Sequence, residues 1–247
     1  MKQHRFLVTP SQIDGDLVTF STEQRHQLQA VLRLRSGDRV RVFDGSEPVD
    51  RVVELAGVAD GRVVETRPQA AEPRTRLVVY PALLQRDTFE PVLQKLTEIG
   101  AAAILPLLTA RGVVRKPADD RRQTRWRAIL REAAEQCGRG VVPELSGGLR
   151  FVDAIARATA EGTVLVAYEG EKHRSVRAAL GGAQRTVSLF VGPEGGFAPE
   201  EADCAADAGA RLVTLGPRIL RSETASPLLA ALVLHELGDL SCADDDA

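Results

Sequence analysis

Apolar and polar positions follow two different rhythms along the 247 residues, and the rhythm changes near residue 76. Before that point apolar residues alternate with polar ones in short runs. Gly37-Asp38 leads into Arg39-Val40-Arg41-Val42-Phe43, Asp44-Gly45-Ser46-Glu47-Pro48 turns the chain, Arg51-Val52-Val53-Glu54-Leu55 follows, and Asp60-Gly61 precedes Arg62-Val63-Val64-Glu65. Period-two patterning with closely spaced turns predicts a small antiparallel sheet or barrel. One helix is predicted within it, over Thr22–Leu34, with Leu28, Val31 and Leu32 on one face. The Pro- and Ala-bearing stretch 66–73 reads as a linker, and the domain boundary is placed there.

After the linker, short continuous apolar runs alternate with helical stripes. The strand candidates are Leu77–Tyr80, Ala103–Leu107, Val164–Tyr168, Val187–Val191 and Leu212–Leu215. Between them, Phe89, Val92, Leu93, Leu96 and Ile99 fall on one stripe that ends at Gly100, a suitable helix terminator. Trp126, Ile129, Leu130, Ala133 and Cys137 form a second stripe. Strands apolar on both faces, alternating with helices, predict a mostly parallel sheet covered on both sides. Ligands bind such sheets outside the carboxyl ends of the strands, which directs attention to the segments that follow them.

Composition narrows the classes. With 44% hydrophobic and 27% charged residues the chain has ordinary globular usage, which excludes collagen, coiled-coil and disordered readings. The longest apolar run, Leu228–Leu234, is too short to span a bilayer, and the N-terminal residues show no secretory pattern. Cys137, Cys204 and Cys242 cannot all pair and read as free thiols of a reducing cytoplasm. His4, His26, His173 and His235 are scattered without metal-ligand spacing, so no metal is expected. The net charge of −2 conceals an uneven distribution. Residues 111–139 hold nine basic groups against four acids, whereas the end from Glu236 holds five acids and no Lys or Arg. Of the 32 basic residues only four are Lys, a skew that reduces the weight of any single Arg.

Three segments at strand ends carry candidate chemistry. Val191-Gly192-Pro193-Glu194-Gly195-Gly196-Phe197 lies between an apolar strand and a helix start at Pro199-Glu200-Glu201. Its glycines permit close backbone approach to a ligand, but the spacing is neither a dinucleotide fingerprint nor a P-loop. Spacing alone divides evenly between a ligand cradle and a plain strand-to-helix turn. Leu215-Gly216-Pro217-Arg218-Ile219-Leu220-Arg221-Ser222-Glu223-Thr224-Ala225 again follows a strand and precedes the most apolar helix, with Ser222, Thr224 and Ser226 as possible caps and Pro227 placed in the first turn. In isolation this is a capped helix with two surface arginines. If the two preceding strands are neighbours, both loops line one end of the sheet and a shared pocket accounts for both. Tyr168-Glu169-Gly170-Glu171 is a third, weaker segment of the same kind.

On these residues the chain resembles the SPOUT-class RNA methyltransferases, whose two signature loops match 192–197 and 215–225. Within that class it is most similar to the enzymes that methylate N3 of a uridine in small-subunit (16S) ribosomal RNA. His4-Arg5-Phe6, the stretch 26–38, Gln94–Gly100 and Glu132–Arg139 extend the likeness over nearly the whole chain. The resemblance implies an α/β homodimer, with residues 1–70 as an RNA-binding PUA-like β-barrel and 77–240 as a SPOUT-type domain. That second domain would contain a deep trefoil knot holding S-adenosylmethionine. Residues 241–247 form an acidic tail. The implied partners are small-subunit ribosomal RNA or the assembled small subunit, in the cytoplasm and without a membrane.

Carried over by position, the donor-binding residues are Tyr168, Glu169, Gly192, Pro193, Glu194, Gly195, Gly196, Leu215, Gly216, Ile219, Leu220, Arg221 and Thr224. For catalysis the reading names Arg221 as a cation stabilising charge on the base and Glu194 as a base or positioning group. For RNA it names Arg5, Arg33, Arg35, Arg111, Arg115, Lys116 and Arg139. Two other readings stay open on the sequence: a non-catalytic RNA-binding assembly factor, and a sibling methyltransferase acting on another nucleotide position.

Overall fold

The computed structural model describes residues 4–69 and 71–240; Cys242 and the acidic tail 241–247 lie outside them. The chain forms two compact units and is mixed α/β. The first unit comprises the chain up to Glu72 together with residues 134–142, so the boundary is not the single cut that a linear reading suggests.

In the first unit, strands β1 (Arg5–Leu7), β2 (Ile13–Asp14), β3 (Leu17–Thr19), β4 (Arg39–Phe43), β5 (Val49–Leu55) and β6 (Asp60–Pro68) form one sheet in the order β1-β4-β5-β6-β3-β2. The hairpins predicted from turn chemistry are present, as β4 with β5 and β5 with β6. β1 pairs with β4 in parallel, a long-range pairing that no local turn signals. The inward positions Phe6, Val18, Val40, Val42, Val53 and Leu55 form the core with Phe20 and Leu28.

The helix predicted over Thr22–Leu34 is shorter. Helix α1 (Thr22–His26) runs into a wider π-type turn over Gln27–Val31, with Leu32 N–H bonded to the Gln27 carbonyl five residues back. Arg33 then adopts a positive φ of 55°, which ends the helix. Leu28 and Leu32 reach the core, but Val31 is 65% exposed, so the predicted apolar face is only partly used.

Some charge pairs of this unit, such as Arg39–Glu54, stay exposed, but two are buried. Arg5 donates two hydrogen bonds to Asp50 Oδ1, at 3.0 and 2.7 Å, and lies 3.7 Å over the Phe43 ring. Arg41 and Gln69 donate to the other oxygen of Asp50. Arg139, almost fully buried, donates to Glu72, whose carboxylate also accepts the N–H groups of Gly140 and Val141.

The second unit begins with β7 (Arg76–Pro81) and helix α2 (Arg86–Ile99), which buries Phe89, Val92, Leu93 and Leu96 as predicted and stops at Gly100. The candidate strand Ala103–Leu107 is two short strands, β8 (Ala103–Ile104) and β9 (Leu107–Leu108), interrupted where Pro106 supplies no N–H. Helix α3 (Asp120–Cys137) buries Trp126, Leu130 and Ala133, with Ile129 and Cys137 half-buried.

There follow β10 (Glu144–Leu145), β11 (Leu149–Arg150), α4 (Phe151–Glu161), β12 (Thr163–Ala167), α5 (Val176–Ala179), β13 (Thr186–Val191), α6 (Pro199–Asp207), β14 (Arg211–Val213) and α7 (Ser222–Glu236). The main sheet has the order β10-β8-β7-β13-β12-β14 and is parallel throughout, as apolar strands alternating with helices require.

Two local expectations change. β13 and β14 are not neighbours, because β12 lies between them. Pro227 is not in a first turn: α7 starts at Ser222, so Pro227 falls in the second turn and has no N–H for the Glu223 carbonyl.

Candidate active site

Three adjacent parallel strands, β13, β12 and β14, end side by side, and each releases its chain into a loop at the carboxyl edge. Each loop is folded by its own short-range bonds. After β12, Glu171 N–H closes a turn on the Tyr168 carbonyl, and the Glu171 carboxylate accepts the N–H groups of His173 and Arg174. Those backbone bonds hold the Glu171 carboxyl below its ordinary value. Lys172 Nζ returns to the Glu169 carbonyl.

The loop after β13 turns at Pro193–Gly196, with Gly196 N–H on the Pro193 carbonyl at 2.9 Å. A side chain at Gly192 would meet the backbone of Gly196 and Phe197 at about 3.0–3.3 Å, and Gly196 has φ +66°. The glycines are therefore demanded by the tight return of this loop. Phe197 anchors the far end in the core against Phe151, with ring centroids 5.1 Å apart. The carboxylate of Glu201 then accepts the N–H of Ala198 at 2.9 Å and of Ala110 at 2.8 Å, holding the start of α6 and the segment after β9 together.

The loop after β14 is pinned by Thr214, whose N–H reaches the Arg174 carbonyl and whose hydroxyl accepts from Gly216 N–H. It ends at Ser222, 3% exposed, whose hydroxyl donates to the Gly192 carbonyl at 2.7 Å.

These loops enclose a cavity of about 850 Å³, within the range of sites for small organic ligands. Of the thirteen residues carried over for donor binding, nine line it: Tyr168, Glu169, Gly192, Pro193, Gly196, Leu215, Gly216, Ile219 and Leu220. Glu194, Gly195, Arg221 and Thr224 do not. Glu194 occupies the exposed tip of the Pro193–Gly196 turn. Arg221 is the residue before α7; its side chain is 85% exposed and stands 3.9 Å from Glu223. The two residues named for catalysis are thus placed off the cavity wall, because turn and helix geometry direct both to solvent.

The charged groups on the wall are Arg111, Glu169, Lys172 and Arg218. Arg111 was named only as an RNA contact. It arrives from the segment after β9, some eighty residues before the glycine turn, and its guanidinium donates to the Gly195 carbonyl at 3.2 Å. No sequence signal links those two positions. Lys172, Arg218 and Ser222 were missed although they stand within or one residue beyond the motifs quoted.

The remaining RNA candidates divide. Arg33 and Arg35 are exposed on the first unit, and Arg115 and Lys116 on the second. Arg5 and Arg139 are corrected: each is buried with its guanidinium engaged by a carboxylate, so neither is presented to a phosphate. Among the described residues no His, Cys, Asp and Glu group stands in a metal-holding arrangement, and no helix is long and apolar enough to cross a membrane.

Comparison with known proteins gives this geometry a context. A family model described as an RNA methyltransferase domain matches residues 71–234. The ribosomal RNA small subunit methyltransferase E of Mycobacterium bovis is 34% identical over 240 residues, covering 93% of this chain and 91% of that protein. The protein of the same name from Synechocystis is 33% identical over 235 residues, covering 93% and 77%.

Two solved structures superpose at a TM-score of 0.79, each covering 96% of this chain and 98% of the other. One is a putative methyltransferase from Legionella pneumophila in complex with the bound cofactor SAM, 27% identical. The other is a ribosomal RNA small subunit methyltransferase E from Neisseria gonorrhoeae bound to S-adenosyl methionine, 26% identical. With the likeness spanning both units and including the strands that build the cavity, the chain belongs to the ribosomal RNA small subunit methyltransferase E family of RNA methyltransferases.

Proposed function

We propose that the chain transfers a methyl group from S-adenosylmethionine to N3 of a specific uridine in small-subunit (16S) ribosomal RNA. The observation that carries the reading is the cavity itself. Three strand-end loops converge on one space of about 850 Å³, in a chain whose relatives of matching fold were solved with this donor. The wall suits such a donor. Gly170, Gly192, Gly196 and Gly216 on it leave room for a close approach to the main chain, and Glu169 supplies a carboxylate toward which a cationic ligand is attracted.

On this reading the first unit is a PUA-like barrel that binds RNA. The second is a SPOUT-type domain with a trefoil knot, working as a homodimer in the cytoplasm on free or assembled small-subunit RNA.

The donor supplies a methyl group carried on positively charged sulfur. The protein's part is alignment, exclusion of water and management of one proton. Uridine N3 carries a hydrogen between two carbonyls and attacks well only once that hydrogen has left as a proton, which passes to bulk solvent. Negative charge then gathers on the flanking oxygens, where a fixed guanidinium stabilises it. The new N–CH3 bond forms as the methyl–sulfur bond breaks and S-adenosylhomocysteine leaves. Arg111 is the arginine held at the cavity by a hydrogen bond to the glycine turn. It is assigned that role in preference to Arg221, and Glu169 is assigned to offset the positive charge of the donor. Arg221 and Glu194 would serve the same chemistry only by moving from their present positions.

The test is incubation of the purified protein with methyl-labelled S-adenosylmethionine and either naked 16S RNA or assembled small subunits, followed by digestion to nucleosides. Label in N3-methyluridine is the expected result. Label in another nucleoside assigns a different target, and no label in RNA removes the enzymatic reading.

A further inference from the structure

Helix α7 begins without the side-chain cap such helices ordinarily use. Its N-cap residue, Arg221, makes no capping bond, although Ser222 follows immediately with a hydroxyl. That hydroxyl is buried and committed elsewhere, donating at 2.7 Å to the carbonyl of Gly192. The sheet offers no substitute at that point, since the last ladder bond on that side runs from Ala82 N–H to the Val191 carbonyl. Ser222 and Gly192 both line the cavity, and each belongs to a different loop. The bond therefore fixes the distance between the glycine turn after β13 and the loop that leads into α7.

We propose that Ser222 is a positioning residue for the methyl donor, its hydroxyl setting the spacing of the two loops between which the donor is held. This rests on the donor reading above. Without the hydroxyl, the Gly192 carbonyl stays buried without that donor unless the turn shifts to find another partner. A shift of the turn moves one wall of the cavity relative to the other. The cost falls on binding the donor and, through Arg111 bonded to the same turn, on kcat, not on RNA affinity, because the exposed basic side chains Arg33, Arg35, Arg115 and Lys116 are untouched.

Ser226 supplies an internal control. It is one turn further along α7 and fully buried, and its hydroxyl donates to the Ser222 carbonyl of its own helix, at 3.0 Å. Removing it tests damage to the helix without touching the bond between the loops.

The experiment measures S-adenosylmethionine affinity by calorimetry in the intact protein, with KM for donor and for RNA determined in parallel. Ser222→Ala is expected to weaken donor affinity and raise donor KM about tenfold, the usual size for losing a buried hydrogen bond, while RNA KM stays within twofold. Ser222→Thr, which keeps the hydroxyl, is expected to recover most of the loss, and Ser226→Ala to stay within twofold of wild type. If Ser222→Ala does not fold, Ser222→Cys, similar in size but a weak donor, is expected to show a smaller loss of the same kind. Wild-type affinity in the folded Ala variant, or in Cys where Ala does not fold, overturns the inference. So does an equal loss in Ser226→Ala, or a loss in Ser222→Ala shared equally by RNA KM. A wild-type protein that takes up no donor overturns the donor reading itself, and this inference with it.

Discussion

Glu169 stands on the cavity wall with three basic residues, Arg111, Lys172 and Arg218, and its carboxylate lies about 3.8 Å from where a side chain at Gly196 would begin. S-Adenosylmethionine is positively charged at sulfur, whereas the product left after methyl transfer is not. A carboxylate that acts by charge therefore distinguishes the two. Glu169→Gln is expected to weaken the donor roughly fivefold more than S-adenosylhomocysteine, a difference of the size found for partly exposed charge pairs. Calorimetry with both ligands checks it, and equal losses would assign Glu169 to hydrogen bonding alone. At the same scale, burial separates residues that composition treats alike. Arg5 and Arg139 belong to the same basic population as Arg115 and Lys116, yet only the latter two face solvent.

Elements are held in register at their ends by side chains that serve the backbone of another element. Glu201 does so for α6 and the segment bearing Arg111. Asp239, just past α7, does so for the entry to β7, its buried carboxylate accepting the N–H groups of Arg74 and Thr75 at 3.1 and 3.0 Å. Burial by itself would raise the Asp239 carboxyl, but these donors outweigh it and the net direction is below the ordinary 3.8.

A carboxyl lowered on folding contributes stability that is fully present above its unfolded value and is lost as pH falls through the folded one. Asp239→Asn is accordingly expected to melt below wild type at neutral pH. The difference should close as pH drops beneath 3.8 and through the lower folded value. Thermal melts of both proteins across pH 2–7 decide it, and a gap independent of pH would refute the charge argument.

For the molecule as a whole, a net charge of −2 gives no hint of affinity for a polyanion, and the local excess of basic groups in 111–139 does. If Arg115 and Lys116 each meet a phosphate, replacing both by Ala should weaken RNA binding across sequences. The slope of log affinity against log salt should then flatten by roughly one and a half to two. An unchanged slope would return both to a solvated surface. Chain order is also a poor guide to the units. Residues 134–142 close the first unit, where Glu135 accepts the Leu7 N–H and Arg139 meets Glu72, although they follow the second unit's first strands and helix.

The alternating strands of the first unit, the apolar strands and helical stripes of the second, and the glycine- and serine-bearing segments at strand ends are local features. A side chain's period and a turn's chemistry depend on neighbours a few residues away, so the sequence by itself determined them. Family likeness extended this to nine residues of the cavity wall. What only the tertiary structure decided depends on distant approach. It placed β12 between β13 and β14, so that three loops rather than two share one edge. It brought Arg111 to the glycine turn and sent Arg221 and Glu194 outward. It buried Arg5 and Arg139 against carboxylates far along the chain. Such placements are set by which strands pair and which charges lose water together, and neither quantity is written in the spacing of residues along a chain.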